Sequence, residues 1–113
     1  MYELLVKDNG LSGGIVFHGP LTIQNALPIK ECLLDAIEKV NILSIDHYDA
    51  TGFDITYLQI LITLHYSTAK LGKTIKLIYS KTFVAFVKDS GLSGYKYLVD
   101  EDEYISKSED DID

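Results

Sequence analysis

An α/β domain on a mixed β-sheet of four to five strands is what this 113-residue chain predicts. Three observations carry the prediction. Two short apolar runs at the N-terminus are joined by a turn-rich link, the pattern of a hairpin. Behind them, apolar runs of strand length alternate with segments of helical period, an order that requires crossover connections and parallel pairing. The length is that of one ordinary domain, and 47% hydrophobic with 24% charged residues is the composition of a globular protein. A chain of this size buries about two-thirds of its unfolded surface, so it needs neither disulfide nor metal to fold.

The elements follow in order. Tyr2 to Lys7 (YELLVK) reads as a strand, and Asp8-Asn9-Gly10 with Ser12-Gly13-Gly14 makes the link. Ile15 to His18 (IVFH) is the second strand, stopped by Gly19-Pro20. A helix follows, capped by Asn25 or Thr22; Pro28 belongs in a first turn, which favours Asn25. Ala26, Ile29, Leu33, Ile37 and Val40 form its apolar stripe, and it ends near Asn41. Ile42 to Ile45 (ILSI) is a strand ending at Asp46, and residues 46–53 read as a loop. A long helix spans about 55–71 and stops at Gly72. Thr74 to Tyr79 is a strand; a short helix from Ser80 or Thr82 carries Phe83, Phe86 and Val87 and closes at Gly91. Tyr95 to Val99 reads as a last strand.

Charge divides the chain into a domain over 1–99 and an acidic tail over 100–113. The tail holds eight acids against Lys107 alone, a net −7 equal to that of the whole chain, so residues 1–99 are neutral with nine acids and nine lysines. There is no arginine, the usual bidentate clamp for phosphate and guanine, and no basic patch, which argues against nucleic acid as a partner. No apolar run approaches the roughly 18 residues of a membrane helix. The N-terminal MYELLVKDNG lacks a signal pattern, and the lone Cys32, set among apolar residues of helical period, reads as a buried structural thiol. A cytoplasmic setting is the simplest reading.

The sequence lacks the motifs of an enzyme. His18, His47 and His65 show no metal-ligand spacing, no serine lies in a nucleophile elbow, and no phosphate-binding glycine loop is present. No metal and no cofactor is expected. An anion pocket between Asp46, Asp49 and Asp54 has the wrong charge.

The segment Thr51 to Leu61 (TGFDITYLQIL) is the informative one. Asp54 suits a helix N-cap, with a carboxylate placed to accept from the N–H of Thr56 or Tyr57, and Phe53 with Leu58 matches a hydrophobic staple. Thr56 then occupies the second helical position. A phosphate on its hydroxyl is favoured by unpaired N–H groups and the helix dipole, and adds about −1.5 to −2 of charge. The helix carries two apolar stripes, so Tyr57, Ile60 and Leu64 are candidates for a partly exposed docking patch.

The run from Gly14 to Leu92 resembles a STAS domain, the family of anti-sigma factor antagonists and of cytoplasmic modules of transporters. The resemblance rests on GIVFHGPLTIQNALPIKECLLDAI, ILSID, DITYLQIL, AKLGKTIKLI and FVKDSGL. The family pattern is a Gly-x-Leu-Thr stretch before the first helix, a strand ending in Asp, and an Asp-Ser-Ser/Thr-Gly-Leu run opening the next helix. It implies a single STAS-like domain with helices packed mainly on one face. Asp54 matches the leading Asp and Thr56 the phosphorylatable position. Ile55 stands where Ser is common, and Tyr57, where Gly is common, adds a ring beside the acceptor.

The implied function is that of a non-enzymatic, phosphorylation-controlled binding regulator. Unmodified, it binds an anti-sigma factor or related serine/threonine kinase; phosphorylation of Thr56 releases the partner and a phosphatase restores binding. The implied surface comprises His47, Asp49, Phe53, Ile55, Tyr57, Ile60 and Leu64 around Thr56, with Asp54 as support. The protein itself is expected to be a monomer or weak dimer. The alternative is a constitutive STAS adaptor of a sensory or transporter ATPase complex, never phosphorylated.

Overall fold

The computed structural model describes residues 2–7, 10–78, 80–92 and 98. Strands β1 (Tyr2–Lys7) and β2 (Ser12–Leu21) form the hairpin. A short 3-10 turn, Ile23–Asn25, leads into α1 (Ala26–Lys39). Then come β3 (Ile42–Phe53), α2 (Ile55–Lys70), β4 (Thr74–Leu77) and α3 (Lys81–Ser90). The sheet order is β1-β2-β3-β4. β1 pairs with β2 antiparallel, and the β2–β3 and β3–β4 ladders are parallel. The mixed four-stranded sheet is therefore the one the alternation predicted.

One core lies between sheet and helices. Ile15, Phe17 and Leu21 of β2, Leu43 and Ile45 of β3, and Ile75 and Leu77 of β4 alternate onto it. They meet Ile29, Leu33 and Ile37 of α1, Leu58 and Leu61 of α2, and Phe83 and Val87 of α3. Gly13 permits the closest approach: a Cβ there would lie 2.9 Å from both Leu5 O and Val40 Cγ1. Gly91 closes α3 in the left-handed region, with φ 85°.

Three boundaries differ from expectation: β2 begins at Ser12, so Ser12-Gly13-Gly14 is strand and not link, and two further ends move. β2 does not stop at Gly19-Pro20 but continues to Leu21, and residues 46–53 are not a loop but the second half of β3. The two extensions pair with each other, His18 to Leu21 against Asp49 to Phe53, after register shifts that interrupt the ladder. β1 accompanies β2 only as far as Phe17. Beyond it, among the described residues, β2 is an edge on that side, where a proline without an N–H is tolerated.

Cys32 is buried, its thiol donating to Ile29 O at 3.1 Å, and burial pushes its pKa up to about 12. The thiol is thus protonated and unreactive at neutral pH. The expected strand at Tyr95–Val99 and the tail over 100–113 lie outside the described residues except Leu98, which is buried in the core. No helix among the described residues is long and apolar enough to cross a membrane.

Candidate functional site

The site forms where β3 ends and α2 begins. Asp54 has extended backbone and caps α2: its Oδ1 accepts from Tyr57 N at 3.3 Å. Its Oδ2 accepts from Ile23 N at 2.7 Å. One carboxylate thus holds the starts of α2 and of the 3-10 turn ahead of α1. The cap was legible in the sequence; the second bond, across 31 residues, was not.

Successive residues leave this cap in different directions, as a 3.6-residue period requires. Ile55 is exposed, Thr56 is half-buried, and Tyr57 and Leu58 turn into the core. Thr56 sits at the wall of a groove of about 180 Å³ between α1 and α2. Leu33 and Leu34 of α1 and Ile60 and Leu64 of α2 supply its apolar lining, and Lys30 faces it from α1. Ile23 and Leu27, 62% and 65% exposed, continue the apolar surface along the α1 side, and Leu34 and Ile55 are exposed as well.

Beneath the cap lies an aromatic cluster. Tyr57, 1% exposed, meets His47, 2% exposed, through a 2.5 Å hydrogen bond between its hydroxyl and Nε2. The imidazole stacks on Phe83 at 4.3 Å and on Phe17 at 6.5 Å between ring centroids. Phe53 meets it edge-on at 5.6 Å. His47 Nδ1 is buried with no hydrogen-bond partner among the described residues. Desolvation drives the His47 pKa down to about 3 against a weaker upward pull from Asp46, so the ring is neutral at physiological pH.

The predicted partner-binding set therefore divides. His47 and Tyr57 are corrected: both are core residues, outside the groove and out of reach of a docked protein, whereas Leu64, also buried, lines the groove floor. Tyr57 does not crowd the Thr56 hydroxyl either, because its ring points inward to His47. The two apolar stripes of α2 resolve unevenly: Tyr57, Leu61 and Leu64 of the first are buried, while of the second Leu58 is buried, Ile62 and His65 are half-buried and Ala69 is exposed. Phe53 and Ile60 are half-buried, and Ile55 and Asp49 are exposed. Asp49 stands apart from the groove and faces His18 Nδ1 at 3.2 Å, while His18 Nε2 meets Glu3 at 2.9 Å.

Sequence reasoning missed Ile23, Leu27, Lys30 and Leu34. Their spacing is helical, but the first precedes α1 in a 3-10 turn, and on α1 itself they lie outside the buried stripe. Among the described residues no group of three or more His, Cys, Asp or Glu side chains is placed to hold a metal ion.

No protein-family profile matches the chain, and no curated protein does. Solved structures do. The anti-sigma factor antagonist SpoIIAA in its unphosphorylated form superposes with a TM-score of 0.69 at 13% identity, covering 99% of this chain and 96% of that one. The phosphorylated form of SpoIIAA, a Bacillus cell fate determinant, gives 0.66 at 13% identity over the full length of both chains. An uncharacterised Shewanella loihica protein with a SpoIIAA-like fold gives 0.50 at 12% identity over 80% of this chain and 79% of that one. The order of elements, the mixed sheet and the full-length superposition agree: the chain has the STAS-like fold of SpoIIAA.

Proposed function

We propose that this protein is a phosphorylation-controlled binding regulator of the anti-sigma factor antagonist type. Its unmodified Thr56 surface docks a serine/threonine switch kinase, that kinase phosphorylates Thr56, and the added charge releases it. A phosphatase returns the surface to its binding state. ATP belongs to the kinase and not to this chain.

One observation carries this reading. Thr56 lies at the opening turn of α2, half-buried beside a groove and bordered by exposed Ile23, Leu27, Leu34 and Ile55. An apolar surface of this kind marks a docking site. A hydroxyl within it is the position where one dianion does most to prevent docking, because burial would strip that charge of water. The α2 start accepts the modification. Asp54 already holds the Tyr57 N–H, while the Ile55 and Thr56 N–H groups have no acceptor one turn back and favour an anion. Lys30 across the groove offers a cation to the same phosphate. The likeness to a fold solved in phosphorylated and unphosphorylated forms is consistent with this scheme.

The test uses the purified chain and a serine/threonine switch kinase of the anti-sigma type. Thr56→Ala should retain binding and accept no phosphate, and Thr56→Asp should lose binding. Equal binding by both overturns the switch and leaves a constitutive adaptor.

A further inference from the structure

We propose that the outer edge of β1 pairs antiparallel with β1 of a second copy, joining two four-stranded sheets into one. The two edges of this sheet are built differently. β4 is four residues long, carries Lys76 and follows Lys73, the short and charged form that discourages edge pairing. β1 is six residues long, and its six pairs with β2 run without a bulge. It is also apolar: Tyr2, Leu5 and Val6 are all exposed, Leu5 by 60%. Among the described residues no strand pairs with its outer side.

The side chains of β1 select one register. Glu3, Leu5 and Lys7 point to one face of the sheet, and Tyr2, Leu4 and Val6 to the other. A two-fold axis perpendicular to the sheet opposes only residues that share a face. Centred on Leu5, it sets Glu3 against Lys7 of the second copy, Lys7 against Glu3, Leu5 against Leu5, and Leu4 against Val6. Both charged pairs are then of opposite sign, on the face that also holds a trough of about 540 Å³ lined by Leu5, Val16, Ser44 and Ile78. Centring on Leu4 sets Glu3 against Leu5 and matches no charges. Glu3 Oε2 is engaged by His18, which leaves Oε1 for the incoming lysine.

Pairing of two strands this short buries less than the roughly 1,200 Å² of a stable interface, so the dimer is weak and concentration-dependent. The perpendicular axis keeps the helices of both copies on one side of the joined sheet. Two Thr56 surfaces are then presented together, and a partner with two sites gains avidity from the pair.

Sedimentation equilibrium over about 1 µM to about 1 mM tests the pairing. The mass should rise from 12.7 kDa toward twice that value. Glu3→Lys and Lys7→Glu should each weaken association about tenfold, and the double exchange should restore it. Leu5→Lys should leave a monomer. All three side chains changed are exposed, and circular dichroism verifies the fold of each variant. A wild-type chain that stays at 12.7 kDa up to about 1 mM overturns self-pairing. A double exchange no better than the single ones also overturns the register.

Discussion

The two sides of the α2 N-terminus are built from opposite materials. Below it, His47, Tyr57, Phe17, Phe53 and Phe83 pack ring against ring around one polar pair. Above it, Ile23, Leu27, Leu34 and Ile55 stand in solvent around the half-buried Thr56. Thr56 and Tyr57 are neighbours in the chain, yet one belongs to each side. The difference separates two roles that the sequence made look like one patch. The lower side fixes the position of the helix start, and the upper side is free to change its charge without disturbing that position. Substitutions below should therefore unfold the protein, and substitutions above should alter binding alone.

Tyr57→Ala is expected to have the largest effect. It removes a buried ring and leaves His47 Nε2 without its partner, so urea unfolding should show a loss of about 3–5 kcal/mol. Tyr57→Phe keeps the ring and should lose about 1–3 kcal/mol from the unpaired imidazole nitrogen alone. A Tyr57→Ala change that leaves stability intact breaks the distinction between the two sides.

The histidine also gives the lower side a pH signature. In the unfolded chain His47 binds a proton near pH 6.5, while the folded chain holds off protonation until about pH 3. Stability from this group is therefore complete above pH 6.5 and falls as pH drops toward 3, at about 1.4 kcal/mol per pH unit. Other carboxylates titrate in the same range, so the informative quantity is the difference from His47→Gln, which retains a hydrogen-bonding group but not the titration. That variant should lose the slope assigned to His47. An unchanged slope contradicts a neutral buried imidazole.

Asp54→Ala lies between the two sides. Two backbone donors, Tyr57 N and Ile23 N, lose their acceptor, and stability should fall by about 1–2 kcal/mol. The change should also weaken partner binding, since both walls of the groove lose their common anchor. Smallest in stability is Leu27→Ser on the upper side, expected within about 0.5 kcal/mol of wild type in unfolding. Titration calorimetry with the kinase should nevertheless show at least a tenfold loss of affinity, the signature of an anchor residue.

The residues that were legible in the sequence are those whose partners are local. The Asp54 cap, the Gly91 stop and the alternation of Leu43 and Ile45 are each decided within a few positions. What could not be read depends on distant partners. Residues 46–53 look polar enough for a loop, yet they extend β3 because His18 to Leu21 supplies the ladder beside them. His47 looks like a surface group, yet Phe17, Tyr57 and Phe83 come from three other elements to enclose it. The upper side depends on distance in the same way: Ile23 lies at the α2 start only because Asp54, 31 residues on, accepts from its N–H.

Intact-mass and fragment analysis of the protein isolated from its own cells tests the central claim most directly. The account predicts a fraction heavier by about 80 Da, with the phosphate on Thr56, absent from the fraction that co-purifies with the kinase. Phosphate at Thr56 on the kinase-bound fraction, or its absence from Thr56 under all growth conditions, would contradict it.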